Sequence, residues 1–315
     1  MPESINPPTM RARLMLEVAA ELATSKPFRH VAIRFTDAST PLVFSSSSTP
    51  EGIAAVVSGS VSFATINPSA ALTIAYRGNG PFASPQPVNT IAVMPSLDRL
   101  VLAMHPRTGI RSLQDLATSS GPMIILVRGE AAHALHFILD DVLAASGAPR
   151  AALEARGIRF ERRGGIPVID RPKFDALLAG EVDGIFDEGA DEWLDEALSA
   201  GMRVFGVSEV AVMQLEALGY RRAILEKKRY GGLERDLLTL DFSGWALFVH
   251  SAASDDLVTN VCRALDARKA TIPWEQGGPL PIERMCRNTD DAPFDVPLHP
   301  AARRFWSARG YLVAV

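Results

Sequence analysis

Residues 174–189 read F-D-A-L-L-A-G-E-V-D-G-I-F-D-E-G, and no other stretch constrains the chain as much. Phe174, Leu177 and Leu178 fall at spacings of three and four, one face of a short helix. Gly180 is a natural helix stop, since glycine takes the left-handed conformation freely. An apolar strand over residues 182–186 follows and ends in two carboxylates, Asp187 and Glu188. Residues 51–67, E-G-I-A-A-V-V-S-G-S-V-S-F-A-T-I-N, use the same device: Gly59 closes a helix, residues 61–66 form a strand, and Asn67 stands at its end. A helix, a glycine, a strand and polar groups at its carboxyl end make the unit of an open α/β sheet, whose ligands sit just beyond the strand ends. Two well-separated copies predict two α/β lobes facing each other.

The remaining pattern fits that frame. Residues 10–24 read as an amphipathic helix with Leu14, Val18 and Leu22 on one face. Residues 30–35 are a strand buried through Val31 and Ile33. Residues 37–48 are a loop ending in four serines, after which Thr49 is a helix N-cap with Pro50 at the first helical position. Residues 68–76 are helical and residues 78–87 form a Gly- and Pro-rich loop. Two apolar strands, 89–94 and 100–105, are separated by P-S-L-D-R, and the second leaves the first lobe. Ser112 caps a short helix, residues 122–127 are a core strand, and residues 131–145 are a helix with Leu135, Ile138, Leu139 and Val142 inward. Residues 157–163 and 202–207 are further strands. Helices occupy residues 189–200 and, capped by Ser208, run on to Leu218. The charged stretch 226–236 reads as an exposed crossing, and the apolar strand 244–250 re-enters the first lobe. Residues 257–267 and 299–309 are helical, the latter with Pro300 at its start and Gly310 at its end; residues 274–295 are an irregular loop. Two crossings imply a hinge. The expected division is residues 1–98 plus 245–315 for one lobe and 99–244 for the other.

With 315 residues, the chain is long enough for two domains, and 47% apolar against 22% charged residues is a globular composition. A net charge of −4 provides no basic footprint for nucleic acid. Cys262 and Cys286 are the only cysteines; they cannot make a zinc site and read as unpaired, buried thiols. Residues 1–9 lack a basic n-region and an apolar core, so either the chain is cytoplasmic or a leader has been removed. Residues 14–22 are interrupted by Glu17 and Glu21 and are too short to span a bilayer.

The order of units, the two crossings, and the phrases G-I-R-S-L-Q-D-L-A, F-D-A-L-L-A-G-E-V-D-G-I-F, R-Y-G-G-L-E-R-D-L-L-T-L and P-L-H-P-A-A-R-R-F-W resemble type II periplasmic solute-binding proteins, most closely the TAXI-type solute receptors of TRAP transporters. Those receptors often carry P-x-H-x-G-A-x-x-Y/F near the C-terminus; here it spans residues 297–305, with Ala301 in the glycine's place. The resemblance implies a periplasmic receptor for a small organic acid or amino-acid-like ligand, with a TRAP membrane permease as partner and no cofactor. The chain departs from the family where the ligand sits: the loop after the first strand of the second lobe reads R-G-E-A-A-H, and the corresponding first-lobe loop is long and serine-rich.

By position, the cleft draws on Ser46, Ser47, Ser48, Asn67 and Ser69 from one lobe and on Arg128, Gly129, Glu130, Asp187 and Glu188 from the other. A serine-rich loop entering a helix N-terminus exposes hydroxyl and N–H groups together, which suits an anion; a solvated turn with a cap is the plainer account. Arg128 either clamps a carboxylate with parallel hydrogen bonds or pairs with Glu130 or Glu188. Asp187 and Glu188 either hold an amine or favour the positive end of the following helix. His105 reads as a hinge histidine, His133 and His136 as structural rather than metal ligands, and Tyr76 and Trp245 as core. No nucleophile elbow, P-loop, HExxH or dinucleotide fingerprint is present. The leading expectation is a solute-binding protein closing on a carboxylate-bearing or zwitterionic ligand. The alternative is a cytoplasmic enzyme of the same fold acting on a small carboxylic acid, such as a decarboxylase.

Overall fold

The computed structural model describes residues 14–16, 18–20, 31–35, 42–167, 170–272, 274 and 277–312. The chain forms two five-stranded α/β sheets and a separate hairpin. The first sheet has the order β1-β2-β3-β12-β4, with β1 (Val31–Phe35), β2 (Leu42–Ser47), β3 (Phe63–Ile66), β4 (Val88–Met94) and β12 (Trp245–His250). The second has the order β7-β6-β8-β5-β9, with β5 (Val101–Met104), β6 (Met123–Val127), β7 (Ile158–Arg162), β8 (Gly184–Asp187) and β9 (Arg203–Phe205). β2 and β3 run parallel, as do β6, β7 and β8, so their carboxyl ends gather at one edge of each sheet.

The two repeated phrases form the expected units. Helix α1 (Pro50–Val57) begins with a proline in its first turn, whose missing N–H costs nothing there, and Gly59 turns the chain at φ 77° into β3. Helices α2 (Ser69–Arg77), α3 (Leu113–Thr118), α4 (Ala134–Ala145) and α5 (Arg150–Glu154) follow. Helix α6 (Arg171–Leu178) precedes Gly180, at φ 68°, and then β8. Side chains alternate across β5 and β8: Leu102, Met104 and Phe186 join the largest core cluster, while Val101, Ala103 and Ile185 face a second one around Phe174 and Trp193. That period of two buries both faces, as a sheet with helices on each side requires. The second cluster takes in α6 and α7 (Ala190–Ser199), and α8 (Glu209–Leu218) lies on the first. Helices α9 (Asp255–Arg268), α10 (Ile282–Met285) and α11 (Pro300–Ala308) cover the other face of the first sheet, where Cys262 and Cys286 are buried free thiols. No helix among the described residues is long and apolar enough to cross a membrane.

Several expectations change: residues 274–295 are not wholly irregular, since Ile282–Met285 is helix with Ile282 and Met285 buried, and Tyr76, expected in the core, is 37% exposed. The serine run is not a loop: residues 42–47 are strand, because Phe44 stacks on Phe63 at 4.9 Å and the register with β3 satisfies the backbone. The charged stretch 226–236 is not a crossing: it connects β10 (Arg222–Leu225) to β11 (Leu237–Leu240), an antiparallel hairpin, and the chain returns only after Leu240. Residues 14–16 and 18–20 are helical as expected, but Leu14 (61% exposed) and Val18 (43%) do not bury the apolar face; the remaining residues of 10–24, the side chain of Val31 and residues 37–41 lie outside the described residues.

The two crossings form a short ribbon. Leu100 N–H donates to Leu240 O, Phe242 N–H to Asp98 O, and Gly244 N–H to Ser96 O. Arg99 Nη1 adds bonds to Asp241 Oδ1 at 2.7 Å and Ser243 Oγ at 2.6 Å. Beyond the ribbon the sheets meet along a seam. Part of it is apolar, since α2, α4 and α8 contribute Ile74, Leu135, Ile138 and Leu215 to one cluster. Asn79 Nδ2 also donates to Leu218 O at 2.7 Å, and Arg77 Nη1 donates to Glu216 O at 3.3 Å.

Candidate functional site

The polar part of the seam lies where the carboxyl ends of β2, β3, β6 and β8 converge. On the first-sheet side, Ser46 Oγ accepts from Thr65 Oγ1 at 2.8 Å. Ser47 Oγ accepts Thr49 N–H at 2.9 Å and shares a second 2.9 Å bond with Thr49 Oγ1. The Thr49 hydroxyl is thereby occupied and makes no capping bond to α1. Ser48 reaches across the seam: its carbonyl accepts Ala134 N–H, at the start of α4, at 2.8 Å. Asn67 and Ser69 bind the return crossing, Asn67 Nδ2 donating to Phe242 O at 3.4 Å and Gly244 O at 3.2 Å, and Ser69 Oγ to Ser243 O at 2.9 Å.

On the second-sheet side, Arg128, Asp187 and Glu188 form one buried cluster. Arg128 donates to Asp187 Oδ1 from Nε (3.1 Å) and Nη2 (2.8 Å), and from Nη2 to Glu188 Oε1 at 2.7 Å. Lys173, fully buried at the start of α6, donates from Nζ to Asp187 Oδ2 at 2.5 Å, Gly165 O at 3.0 Å and Val127 O at 3.2 Å. These three acceptors match its three donors, which keeps a cation in place although burial pulls its pKa down. Burial raises the Asp187 carboxyl, but Arg128 and Lys173 outweigh that and hold it below the usual range. Burial pushes Glu188 up; Arg128 opposes the shift and Asp187 adds to it. Glu188 Oε2 is buried without a hydrogen-bond partner. Arg128 meets the two carboxylates and is not free to clamp a ligand.

Gly129 and Glu130 build the turn before α4. Gly129 N–H donates to Gly164 O at 2.8 Å, and a Cβ at Gly129 would lie 2.6 Å from Gly164 N, so the close approach of the two loops needs glycine. The Glu130 carbonyl accepts His133 N–H at 3.2 Å and meets His136 Nε2 at 2.8 Å. His133 Nδ1 accepts Leu135 N–H at 3.2 Å, which leaves the proton on Nε2, 3.6 Å from Glu188 Oε1. Burial, then Arg128, lower the His133 pKa to about 3, so the ring is neutral.

Five residues that take part were absent from the expected site. Asp98, in the outgoing crossing, accepts at Oδ1 from the N–H groups of Arg99 (2.6 Å), Gly189 (2.8 Å) and Ala190 (3.1 Å), tying the crossing to the N-terminus of α7. Burial and the charge of Glu188 raise its pKa well above the usual carboxylate range. Lys173, His133 and the Arg99–Asp241 pair complete the set. The sequence held a signal for two of them, because D-R in P-S-L-D-R is a charged pair between two apolar strands, where an isolated charge is costly.

Near this cluster, a concavity of about 260 Å³ opens beside the ribbon, lined among others by Leu97, Asp98, Ala190, Ile224, Tyr230 and Asp290. It straddles the seam, since Asp290 belongs to the segment covering the first sheet and Ala190 and Tyr230 to the second-sheet side.

No protein-family model matches the chain, and no curated protein matches it. Among solved structures, the chain is similar to a TctC solute binding protein from Polaromonas, solved without ligand, at 14% identity and a TM-score of 0.37 over 69% of this chain and 68% of that one. It is similar to an R. palustris protein solved with adipate, at 14% identity and a TM-score of 0.33 over 66% of this chain and 64% of that one. It is also similar to the arginine-, lysine-, histidine-binding protein ArtJ from Geobacillus stearothermophilus, at 12% identity and a TM-score of 0.27 over 75% of this chain and 78% of that one.

Proposed function

We propose that the chain is a solute-binding protein whose two α/β units, residues 1–98 with 245–315 and residues 99–244, close on a small carboxylate-bearing or zwitterionic solute. The Ser48–Ala134 hydrogen bond carries this reading: it joins the carboxyl end of β2 to the N-terminus of α4 across the polar seam. A strand end meeting a helix N-terminus offers carbonyl and hydroxyl acceptors together with N–H donors, the groups that a small polar solute exchanges for water. The ribbon of crossings is the only covalent connection between the two units in this division, so rotation about residues 96–99 and 241–244 opens the seam, and a solute that bridges it shifts the equilibrium to the closed form. Ser46, Ser47, Ser48, Gly129 and Glu130 line the approach. Asn67 and Ser69 fix the return crossing, and Arg128, Asp187 and Glu188 set the charge beneath. The TAXI-like phrases support a TRAP-type permease as the partner of the closed form.

A thermal-shift screen of small acids, amino acids and amines tests the reading. Saturable stabilisation without chemical change is expected, about 2.7 kcal/mol at a ligand concentration a hundredfold above Kd. Product formation would transfer the chain to the enzyme alternative, and a panel without any stabilising compound would overturn solute binding.

A further inference from the structure

The Glu188 carboxyl group stands at the N-cap of α4, and its two oxygens differ. Oε1 accepts Arg128 Nη2 at 2.7 Å and lies 3.6 Å from His133 Nε2. Oε2 is buried and meets no hydrogen-bond partner, in a side chain only 5% exposed. An acid has this asymmetry: a carbonyl oxygen that takes the donor, and a hydroxyl that needs an acceptor. A carboxylate would keep charge on an oxygen that no donor reaches, which is costly at this depth. The surrounding charges agree. Arg128 follows β6, Asp187 ends β8, Lys173 lies on α6, His133 caps α4 and Asp98 belongs to the outgoing crossing. Arg128 and Lys173 hold Asp187 as an anion, and Asp98 accepts three N–H groups at one oxygen. With His133 neutral, two cations then face two anions, and a charge on Glu188 would be unbalanced. Burial moves Glu188 toward the protonated form. Burial, then the charge of Glu188, raise Asp98 as well, but its N–H donors favour the anion and Glu188 Oε2 has none, so the proton belongs on Glu188.

The other groups at this helix end are donors too. His133 Nδ1 accepts Leu135 N–H, so Nε2 carries the hydrogen, and Glu188 Oε1 at 3.6 Å is beyond hydrogen-bond reach. Ala134 N–H spends its bond on Ser48 O across the seam, and separation of the units frees it. The 12 residues of α4 add the partial positive charge of a helix start. A helix N–H, an imidazole N–H and an acid O–H then lie together, and an acceptor with two oxygens answers them.

We propose that Glu188 meets the solute as a neutral acid, and that its Oε2–H, the Nε2–H of His133 and the N–H of Ala134 seat one carboxylate of the solute in the place Ser48 O now holds, so that capture is linked to a proton. This rests on the solute-binding reading and deepens it by naming the seat and its pH dependence. An ionised Glu188 repels the same carboxylate, so above the pKa of Glu188 a proton from solvent enters with the solute. A bound anion favours the protonated acid. Affinity is therefore full below the pKa of Glu188 in the unliganded protein and falls as pH rises through it, by up to about tenfold per pH unit for one proton. His133 does not contribute, because burial and Arg128 lower its pKa to about 3.

Titration calorimetry with succinate and with glutamate, at fixed ionic strength from about pH 6.5 to about pH 8.5, tests the proposal in a range where their carboxylates stay ionised. Wild-type affinity should fall about fivefold or more across that range. Glu188→Gln keeps a donor in the place of Oε2–H and does not titrate, so it should bind with a flat profile. His133→Asn keeps an acceptor for Leu135 N–H but lacks the reach of Nε2, and should weaken binding about tenfold at every pH with an unchanged circular dichroism spectrum. Asp98→Asn removes a neighbouring negative charge, so the fall in affinity should move to lower pH and remain. A flat wild-type profile, or an equal slope in Glu188→Gln, overturns the proton linkage and leaves solute binding standing. A slope lost in Asp98→Asn and kept in Glu188→Gln puts the proton on Asp98 and overturns it as well. Unchanged binding by His133→Asn overturns the seat at α4. If neither acid binds, the inference falls, and the wider screen decides separately whether any solute is bound.

Discussion

Arg128 shows how a residue's partners decide its use. As a free cation at the end of β6 it could grip a carboxylate; in the fold its guanidinium is spent on Asp187 and Glu188, with its side chain 5% exposed. Its own pKa is raised, because burial disfavours the cation but Glu188 and Asp187 more than compensate. Removing it leaves two buried carboxylates with only Lys173 between them. Arg128→Met should therefore destabilise the protein by about 3–5 kcal/mol in urea unfolding. The triple variant that adds Asp187→Asn and Glu188→Gln should recover part of that loss. A cost below about 1 kcal/mol for the single change would mean that the cluster is solvated rather than buried. The pairing of Arg128 with Glu188 was one of two readings open in the sequence. That with Asp187 was not, since Asp187 and Arg128 come from adjacent strands, and adjacency is a property of sheet order.

At the scale of elements, helix boundaries were legible because local chemistry sets them. Ser208 Oγ accepts Ala211 N–H at 3.3 Å at the start of α8, and Ser112 Oγ accepts Asp115 N–H at 3.0 Å at the start of α3, each where the sequence predicted a cap. Ser208→Ala should cost about 1 kcal/mol. Val210→Ala, on the exposed side of the same helix, should stay within about 0.5 kcal/mol, and equal losses in the two variants would deny the cap its role. The serine run before α1 was misread because serine is a turn former by propensity, whereas here a parallel neighbour fixes its backbone. The 226–236 stretch was misread because charge reports exposure and not connectivity: most of it is exposed, yet it belongs to a hairpin that never leaves its side of the molecule.

For the whole molecule, the governing feature is a seam with an apolar and a polar part. The apolar part opposes opening, because separating α2 from α4 and α8 exposes side chains such as Ile74 and Leu215 at roughly 25 cal/mol per Å². Phe137, on α4, packs toward Gly80, whose φ of 58° turns the loop after α2 against it. A Phe137→Ala/Asn79→Ala variant loses that contact and the bond to Leu218 O, and should shift the units toward an open form. Small-angle scattering should then show a radius of gyration above the roughly 20 Å expected for a compact chain of this length. An unchanged radius would place the closing force elsewhere, in the ribbon of crossings. What the sequence determined by itself was the kind of unit: hydrophobic period, glycine stops, caps and polar strand ends are encoded over a dozen residues, and a helix–glycine–strand phrase occurring twice, far apart, pointed to two α/β units. Tertiary structure alone decided which charges meet. Asp98, Lys173 and Arg128 lie far apart along the chain and come together only through strand order and the return of the second crossing. Whether a side chain is offered to a guest or consumed by a neighbour depends on distances of a few ångströms that no local pattern encodes.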